Sequence, residues 1–245
     1  MDISNEYGNK EQHTALLAVL HEFDAICREN GIAYSLHGGT LLGAVRNHEF
    51  IPWDDDADVS ITRENYEKLV SVLPKYDAIL DLSEGWVPHF IDSHKSGSTD
   101  VFIWDFISEW RISEKLKLLC LRFLQGMIKE ELHTENFSLA YKIPIVFTYY
   151  FGKLFSREAK LRAYNRFSKN AFTGTKKNIH RSNDNFTAIA MIMDKNVMVG
   201  YEEVVLENNN FLMSSHYREV LELSYGKNYL TPPPENERKP QHTKG

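Results

Sequence analysis

Long apolar runs are missing from this sequence. The longest, Ile143 to Phe151, is nine residues, well short of the ~20 that a helix needs to cross a bilayer. Cysteine is scarce, and Cys27 and Cys120 have neither a CxxC partner nor a histidine at ligand spacing. Both lie in amphipathic stretches and read as core thiols, which fits a reducing, cytoplasmic setting. Absent too is the basic start and apolar run of a secretory signal, since Met1-Asp2-Ile3-Ser4-Asn5-Glu6 is acidic and polar. Metal-ligand spacing is lacking around His13, His21, His89, His94, His133, His180 and His216, which read as surface or core residues. With a pI of about 5.9 and no recognised motif of basic and aromatic residues, nucleic acid is not an expected partner. No internal repeat or low-complexity tract occurs.

What is present is an ordinary globular balance, 42% hydrophobic and 25% charged, which argues against both disorder and a membrane bundle. The 245 residues allow one large domain or a catalytic core carrying an insertion. Charge is uneven. The chain has a net charge of −6, yet residues 111–170 hold twelve Lys or Arg against five Glu and no Asp. That basic block reads as solvated helix faces or as a surface for an anionic acceptor or phospholipid headgroups.

Along the chain, Leu16, Leu20, Phe23 and Cys27 form one stripe of a helix over residues 12–30, stopped by Gly31. Residues 32–36 read as a strand that runs into a Gly38-Gly39 turn, and Thr40 is a suitable N-cap for a helix over 41–47. Pro52 breaks that pattern before Trp53-Asp54-Asp55-Asp56-Ala57-Asp58-Val59-Ser60-Ile61, whose end reads as a strand. Thr62 starts another helix, residues 100–104 read as a strand, and Ile112, Leu116, Leu119, Phe123 and Met127 recur at helical spacing. Ser156 caps a further helix, residues 186–193 and 197–205 read as strands, and a last helix over 215–225 is closed by Gly226. The fold class expected is α+β: a core at 1–110, a helical basic insertion at 111–180, and strands, last helix and tail at 181–245 packing back on the core.

The acidic run carries the chemistry. If the strand starts early, alternation puts Asp54, Asp56 and Asp58 on one face. Two carboxylates ~6.5 Å apart repel by ~2–3 kcal/mol at an effective dielectric near 20. A solvated acidic loop tolerates this, but here Ile51, Trp53, Val59 and Ile61 bracket the acids and steer one side of them toward a core. A divalent cation offsets the repulsion, and Mg2+ (with Mn2+ as the alternative) favours carboxylates plus substrate phosphates. Upstream, strand, Gly38-Gly39-Thr40 and helix make a natural anion site, to which Arg46 adds a charged contact. Together the two elements describe a site for phosphate and metal.

The stretch Leu36-His37-Gly38-Gly39-Thr40-Leu41-Leu42-Gly43-Ala44-Val45-Arg46, followed by Ile51-Pro52-Trp53-Asp54-Asp55-Asp56-Ala57-Asp58, resembles the signature of the LicD and fukutin-related proteins. Those proteins belong to the nucleotidyltransferase fold superfamily, so the resemblance implies a nucleotidyltransferase-like mixed sheet with flanking helices. Asp100-Val101-Phe102-Ile103-Trp104-Asp105 is similar to the family's DIFPLD segment, with Ile103 in place of proline. The resemblance carries Asp100 over as the remaining metal ligand or general base, and Asp105 as a residue that positions substrate. Residues 223–230 with Pro232-Pro233-Pro234, Arg238 and His242 are similar to the closing YGD…PP…R…H pattern, with Lys227 where an acid is usual.

The resemblance implies transfer of a phosphoalcohol such as phosphocholine from a CDP-alcohol donor to a sugar hydroxyl. The acceptor would be a cell-surface glycan (teichoic acid, lipopolysaccharide or capsule) or its lipid-linked form. Asp56, Asp58 and Asp100 would hold Mg2+. Gly38, Gly39, Thr40 and Arg46 would hold the donor phosphates, and Asp54 or Asp100 would accept the hydroxyl proton. The block at 111–170 is the expected acceptor surface, with peripheral contact at the inner face of the plasma membrane. Two other readings are a nucleotidyltransferase acting on a small hydroxylated substrate and a non-catalytic glycan-binding relative.

Overall fold

The structure, a computed structural model, describes residues 10–132, 139–234 and 238. The N-terminal segment read for a signal, His133 and His242 lie outside them. The chain divides into two compact units: residues 1–81, 88–103 and 196–245 form the first, and 82–87 with 104–195 the second. The helical stretch read at 111–180 thus falls within a broader second unit that also takes in strands on either side of it.

In the first unit, helix α1 (Lys10–Glu29) turns Leu16, Val19, Leu20, Phe23 and Cys27 inward. Gly31, at φ +58°, follows its end in the left-handed conformation that glycine adopts without strain. The strands β1 (Ser35–Leu36), β2 (Asp58–Thr62), β3 (Ile79–Asp81), β4 (His89–Ile91) and the first half of β5 (Ser98–Ile107) lie in the order β1-β2-β5-β4-β3. Helix α2 (Gly38–Asn47) joins β1 to β2, and α3 (Arg63–Val72) starts where the Thr62 side chain accepts a hydrogen bond from the Asn65 N–H. Phe23 meets both Tyr34 and Phe90 edge-on, with ring centroids 5.1 Å apart in each pair. Val59, Ile61, Val101 and Ile103 complete the same core.

In the second unit the last half of β5 pairs with β6 (Asn178–Arg181), which pairs with β7 (Ile192–Asp194), both antiparallel. Helices α4 (Arg111–Ile128), α5 (Leu139–Gly152) and α6 (Arg157–Asn170) lie between β5 and β6 in the chain. Ser156 caps α6 by accepting from the Ala159 N–H. The stripe read from α4 differs from its buried face. Ile112, Leu116 and Leu119 are exposed, whereas Lys117, Leu118, Leu121 and Gln125 are buried. Lys117 is inside because its ammonium donates to the carbonyls of Phe106 and Ser168 at 2.5 and 2.7 Å; such pairing is what makes a buried charge tolerable.

The chain then returns to the first unit with the hairpin β8 (Tyr201–Leu206) and β9 (Asn209–Ser214) and helix α7 (Tyr217–Tyr225), closed by Gly226 at φ +82°. The strand expected at 186–193 forms only at its end, after a 3-10 turn at Ala188–Ala190. Likewise, the strand expected from 197 starts at Tyr201, after a 3-10 turn at Lys195–Met198. Helices and a mixed sheet make the fold α+β, the class expected.

Candidate active site

The centre of the site is the start of α2. That helix begins at Gly38 rather than Leu41, and its N-cap is His37, not Thr40. Thr40 sits inside the first turn, fully buried, and its hydroxyl accepts the Asp58 N–H at 2.9 Å. The His37 N–H donates to the Asp58 carbonyl at 2.9 Å, so β2 is locked onto the helix start from both sides. Both glycines are required by close approach. A Cβ on Gly38 would lie 2.0 Å from Asp58 Oδ2, and one on Gly39 would lie 2.0 Å from Asp54 Oδ2. Gly38 also holds φ +52°, a conformation costly for residues with a side chain. Two carboxylates therefore rest on the positive end of a helix, where unsatisfied N–H groups favour negative charge.

The acidic segment is not yet strand. β2 begins at Asp58, so alternation does not govern Asp54 and Asp56. Instead α1 fixes the backbone: His13 Nε2 donates to the Asp54 carbonyl at 2.8 Å, and Gln12 Nε2 donates to the Asp55 carbonyl at 2.5 Å. The result gathers Asp54, Asp55 and Asp56, whose oxygen donors lie within 4.8 Å of one another. Asp55 falls outside the face that strand alternation gives to Asp54, Asp56 and Asp58. Burial above all, then the charges of Asp56 and Asp55, push the Asp54 carboxyl up to about 8, against the opposing pull of Arg46. A crowded, half-buried set of hard oxygen donors, one of which burial and its neighbours hold protonated, fits a divalent cation.

Asp100 reaches the same neighbourhood from β5, its N–H donating to the Ala57 carbonyl at 2.8 Å, between Asp56 and Asp58 in the chain. Its carboxylate is 2.5 Å from His89 Nδ1, directly across the β4–β5 ladder. His89, read from sequence as a surface or core residue, is therefore a partner of a candidate site acid. Only strand register could have revealed it. Two residues along the same strand face, Phe102 packs its ring 5.2 Å from that of His37.

Asp105 is placed otherwise than the resemblance implies. It belongs to the second unit, is 2% exposed, and accepts a hydrogen bond from the Ser182 hydroxyl at 2.5 Å. Its carboxylate is thus engaged within a core rather than offered to substrate.

Arg46 stands in the last turn of α2, partly buried, and its Nε has no hydrogen-bond partner among the described residues. Burial and the nearby charge of Arg238 lower its pKa, while Asp54 opposes them. Arg238 in turn lies over the Trp53 ring, 5.3 Å from the centroid. Two neighbouring guanidinium groups beside the acids are an arrangement that an added anion relieves.

Residues 31–143 match the family described as LicD/FKTN/FKRP, nucleotidyltransferase domain. Among curated relatives, the lipopolysaccharide cholinephosphotransferase LicD of Haemophilus influenzae is 49% identical over 63 residues, 26% of this chain and 24% of the relative. Uncharacterized proteins of Rickettsia prowazekii and Rickettsia typhi are 35% identical over 65 residues and 32% over 68, covering 26% and 28% of this chain and 24% and 22% of those proteins. The matched stretch spans about a quarter of each relative's length.

Proposed function

We propose that the chain is a phosphotransferase that moves phosphocholine, or a similar phosphoalcohol, from a CDP-activated donor to a sugar hydroxyl of a cell-surface glycan. The observation that carries this reading is the approach of Asp54 and Asp58 to the Gly38-Gly39 start of α2, with the Asp100 N–H bonded to the Ala57 carbonyl next to Asp58, within the stretch that matches the LicD family. The relative named as a lipopolysaccharide cholinephosphotransferase supports the choice of group and acceptor.

Asp56 and Asp58, with Asp100, would hold the divalent cation, and Asp54 and Asp55, whose oxygens lie within 4.8 Å of an Asp56 oxygen, offer further donor atoms at the same place. Bound there, Mg2+ would neutralise the donor diphosphate and the charge that develops on the leaving nucleoside monophosphate. Arg46 and Arg238 supply fixed positive charge for the donor phosphates. The start of α2 leaves the Asp58 and Asp54 carboxyl groups against Gly38 and Gly39, at the positive end of the helix. His89 orients Asp100, and Asp54 or Asp100 is the carboxylate that accepts the acceptor hydroxyl's proton.

The test is incubation with Mg2+, a panel of CDP-alcohols and glycan acceptors. Release of CMP with a phosphoalcohol on the glycan is expected, with Asp56→Asn at least ~100-fold slower. Pyrophosphate release from a nucleoside triphosphate, with no CMP from any CDP-alcohol, would replace this reading by nucleotidyl transfer.

A further inference from the structure

Helix α4 carries two faces, and the more continuous apolar one is outside. Ile112, Leu116 and Leu119, spaced four and three residues apart, are 78%, 41% and 63% exposed. The same stripe runs on through Phe123, whose ring lies 6.0 Å from that of Phe151 on α5. Phe151 stacks with Phe147 at 5.8 Å and touches Phe155 at 5.4 Å. Ile143, Phe147, Tyr150 and Leu154 are 66%, 60%, 58% and 75% exposed. The two helices are held side by side at contacts that leave no room for larger side chains, where a Cβ on Gly126 would meet the Thr148 hydroxyl and one on Gly152 the Met127 carbonyl. The exposed side chains therefore belong to one fixed surface of the second unit.

The charge around this surface is mostly positive, the exceptions being Glu130, which pairs with Arg157 at 2.7 Å, and Glu158 beside it. No Asp or Glu occurs from Leu139 to Arg157, whereas Lys142, Lys153 and Arg157 do. Lys153 sits over the rings of Tyr149 and Tyr150, at 4.5 and 5.4 Å from their centroids. On α4, the exposed Arg111 and Lys115 flank the apolar stripe, and Glu114 lies on the other side of the helix. Apolar and aromatic side chains edged by cations are what an anionic lipid surface binds. No helix among the described residues is long and apolar enough to cross a membrane, so the surface would lie on a bilayer rather than span it.

We propose that the outer face of α4 and α5 docks this protein on a membrane rich in anionic phospholipid, with Phe147, Leu154 and Phe155 entering the interface and Lys115 and Lys153 meeting headgroup phosphates. The proposal does not depend on the transfer chemistry, since its readout is binding. It gives a physical reason for an enzyme of the proposed class to meet a lipid-linked acceptor.

The experiment is flotation of the full chain with phosphatidylcholine vesicles, with and without phosphatidylglycerol, while Trp110, 62% exposed next to the stripe, reports insertion through its fluorescence. Binding that requires phosphatidylglycerol is expected, with a blue shift of Trp110. It should fall at least ~10-fold in Leu154→Glu with Phe155→Glu, and ~5-fold for each change in Lys115→Glu and Lys153→Glu. The lysine variants alter only exposed side chains, so they keep the test sound if the apolar pair disturbs folding. No flotation, or flotation indifferent to phosphatidylglycerol, would overturn the proposal. So would a wild-type dimer in sedimentation that Leu154→Glu dissociates without any vesicle binding, since the face would then join two copies of the chain.

Discussion

Gly38→Ala would put a methyl group 2.0 Å from Asp58 Oδ2 on a backbone held at φ +52°. Either the carboxylate moves or the helix start does. Because the affected acid is part of the proposed cation site, turnover should fall ~100-fold. Strain of this kind costs only ~1–3 kcal/mol, so the fold should survive, as circular dichroism and a melting curve would show. Wild-type turnover in a folded Gly38→Ala protein would remove the turn from the site. The residues behind this prediction were legible because both elements are local: a glycine pair between strand and helix, and an Asp-x-Asp a few residues on. Asp55 and His89 were not legible. Asp55 joins its neighbours because α1 bends the segment through His13 and Gln12, and His89 meets Asp100 only through the β4–β5 register. The case of Asp105 is different, for its position could have been foreseen. Five residues separate it from Asp100, and an odd separation on a strand points the two side chains to opposite faces.

Among the elements, helix ends were read more faithfully than helix faces. Thr62, Ser156 and Gly226 mark boundaries through contacts within a few residues, and each does so in the structure. The buried face of α4 depends instead on distant partners. Lys117 needs the carbonyls of Phe106 and Ser168, and Gln125 donates to the Asp184 carbonyl and the Tyr164 hydroxyl. Apolar spacing alone therefore selected the wrong side for most of the stripe, Met127 being its buried member. The contact of α4 with α5 can be tested through its glycines. A Cβ on Gly152 would lie 2.3 Å from the Met127 carbonyl, which is backbone and cannot turn away. On Gly126 the obstacles are the Thr148 hydroxyl at 2.2 Å, which can rotate, and the Thr148 Cβ at 2.9 Å, a milder clash than the backbone one at Gly152, whereas Gly85 meets nothing nearer than 4.0 Å. Gly152→Ala should thus cost ~1–3 kcal/mol. Gly126→Ala should cost less, helped by the ~1 kcal/mol gained when alanine replaces glycine in a helix, and Gly85→Ala should stay within ~0.5 kcal/mol. Urea unfolding of the three variants would measure the order, and a Gly152→Ala protein as stable as wild type would contradict the close approach.

Across the whole molecule, two separate cores carry two buried titrating groups whose effects on stability run in opposite directions. In the first unit Asp54 is raised from 3.8 to about 8. The native state then holds a proton that the unfolded chain has lost, so without metal the contribution of Asp54 to this unit's stability is most favourable below pH ~4 and is lost as pH rises toward 8. In the second unit His180 is lowered from 6.5 to about 4, by burial first and then by the charge of Lys117, partly offset by its hydrogen bond to the Ile189 carbonyl and by Asp105. There the unfolded chain takes up the proton first, so stability is full above pH ~6.5 and is lost as pH falls toward 4, by up to about 3 kcal/mol. Hydrogen-exchange mass spectrometry in dilute urea can follow opening free energies of α1 and α4 separately. Acid should loosen α4, and His180→Gln should abolish that slope. Raising the pH should loosen α1 in the absence of metal, and Mg2+ should restore it most at the high end, where it competes with fewer protons. In Asp54→Asn the alkaline loss should vanish. If both helices instead opened with one shared pH profile, unchanged by either substitution, the two titrations would not govern separate units.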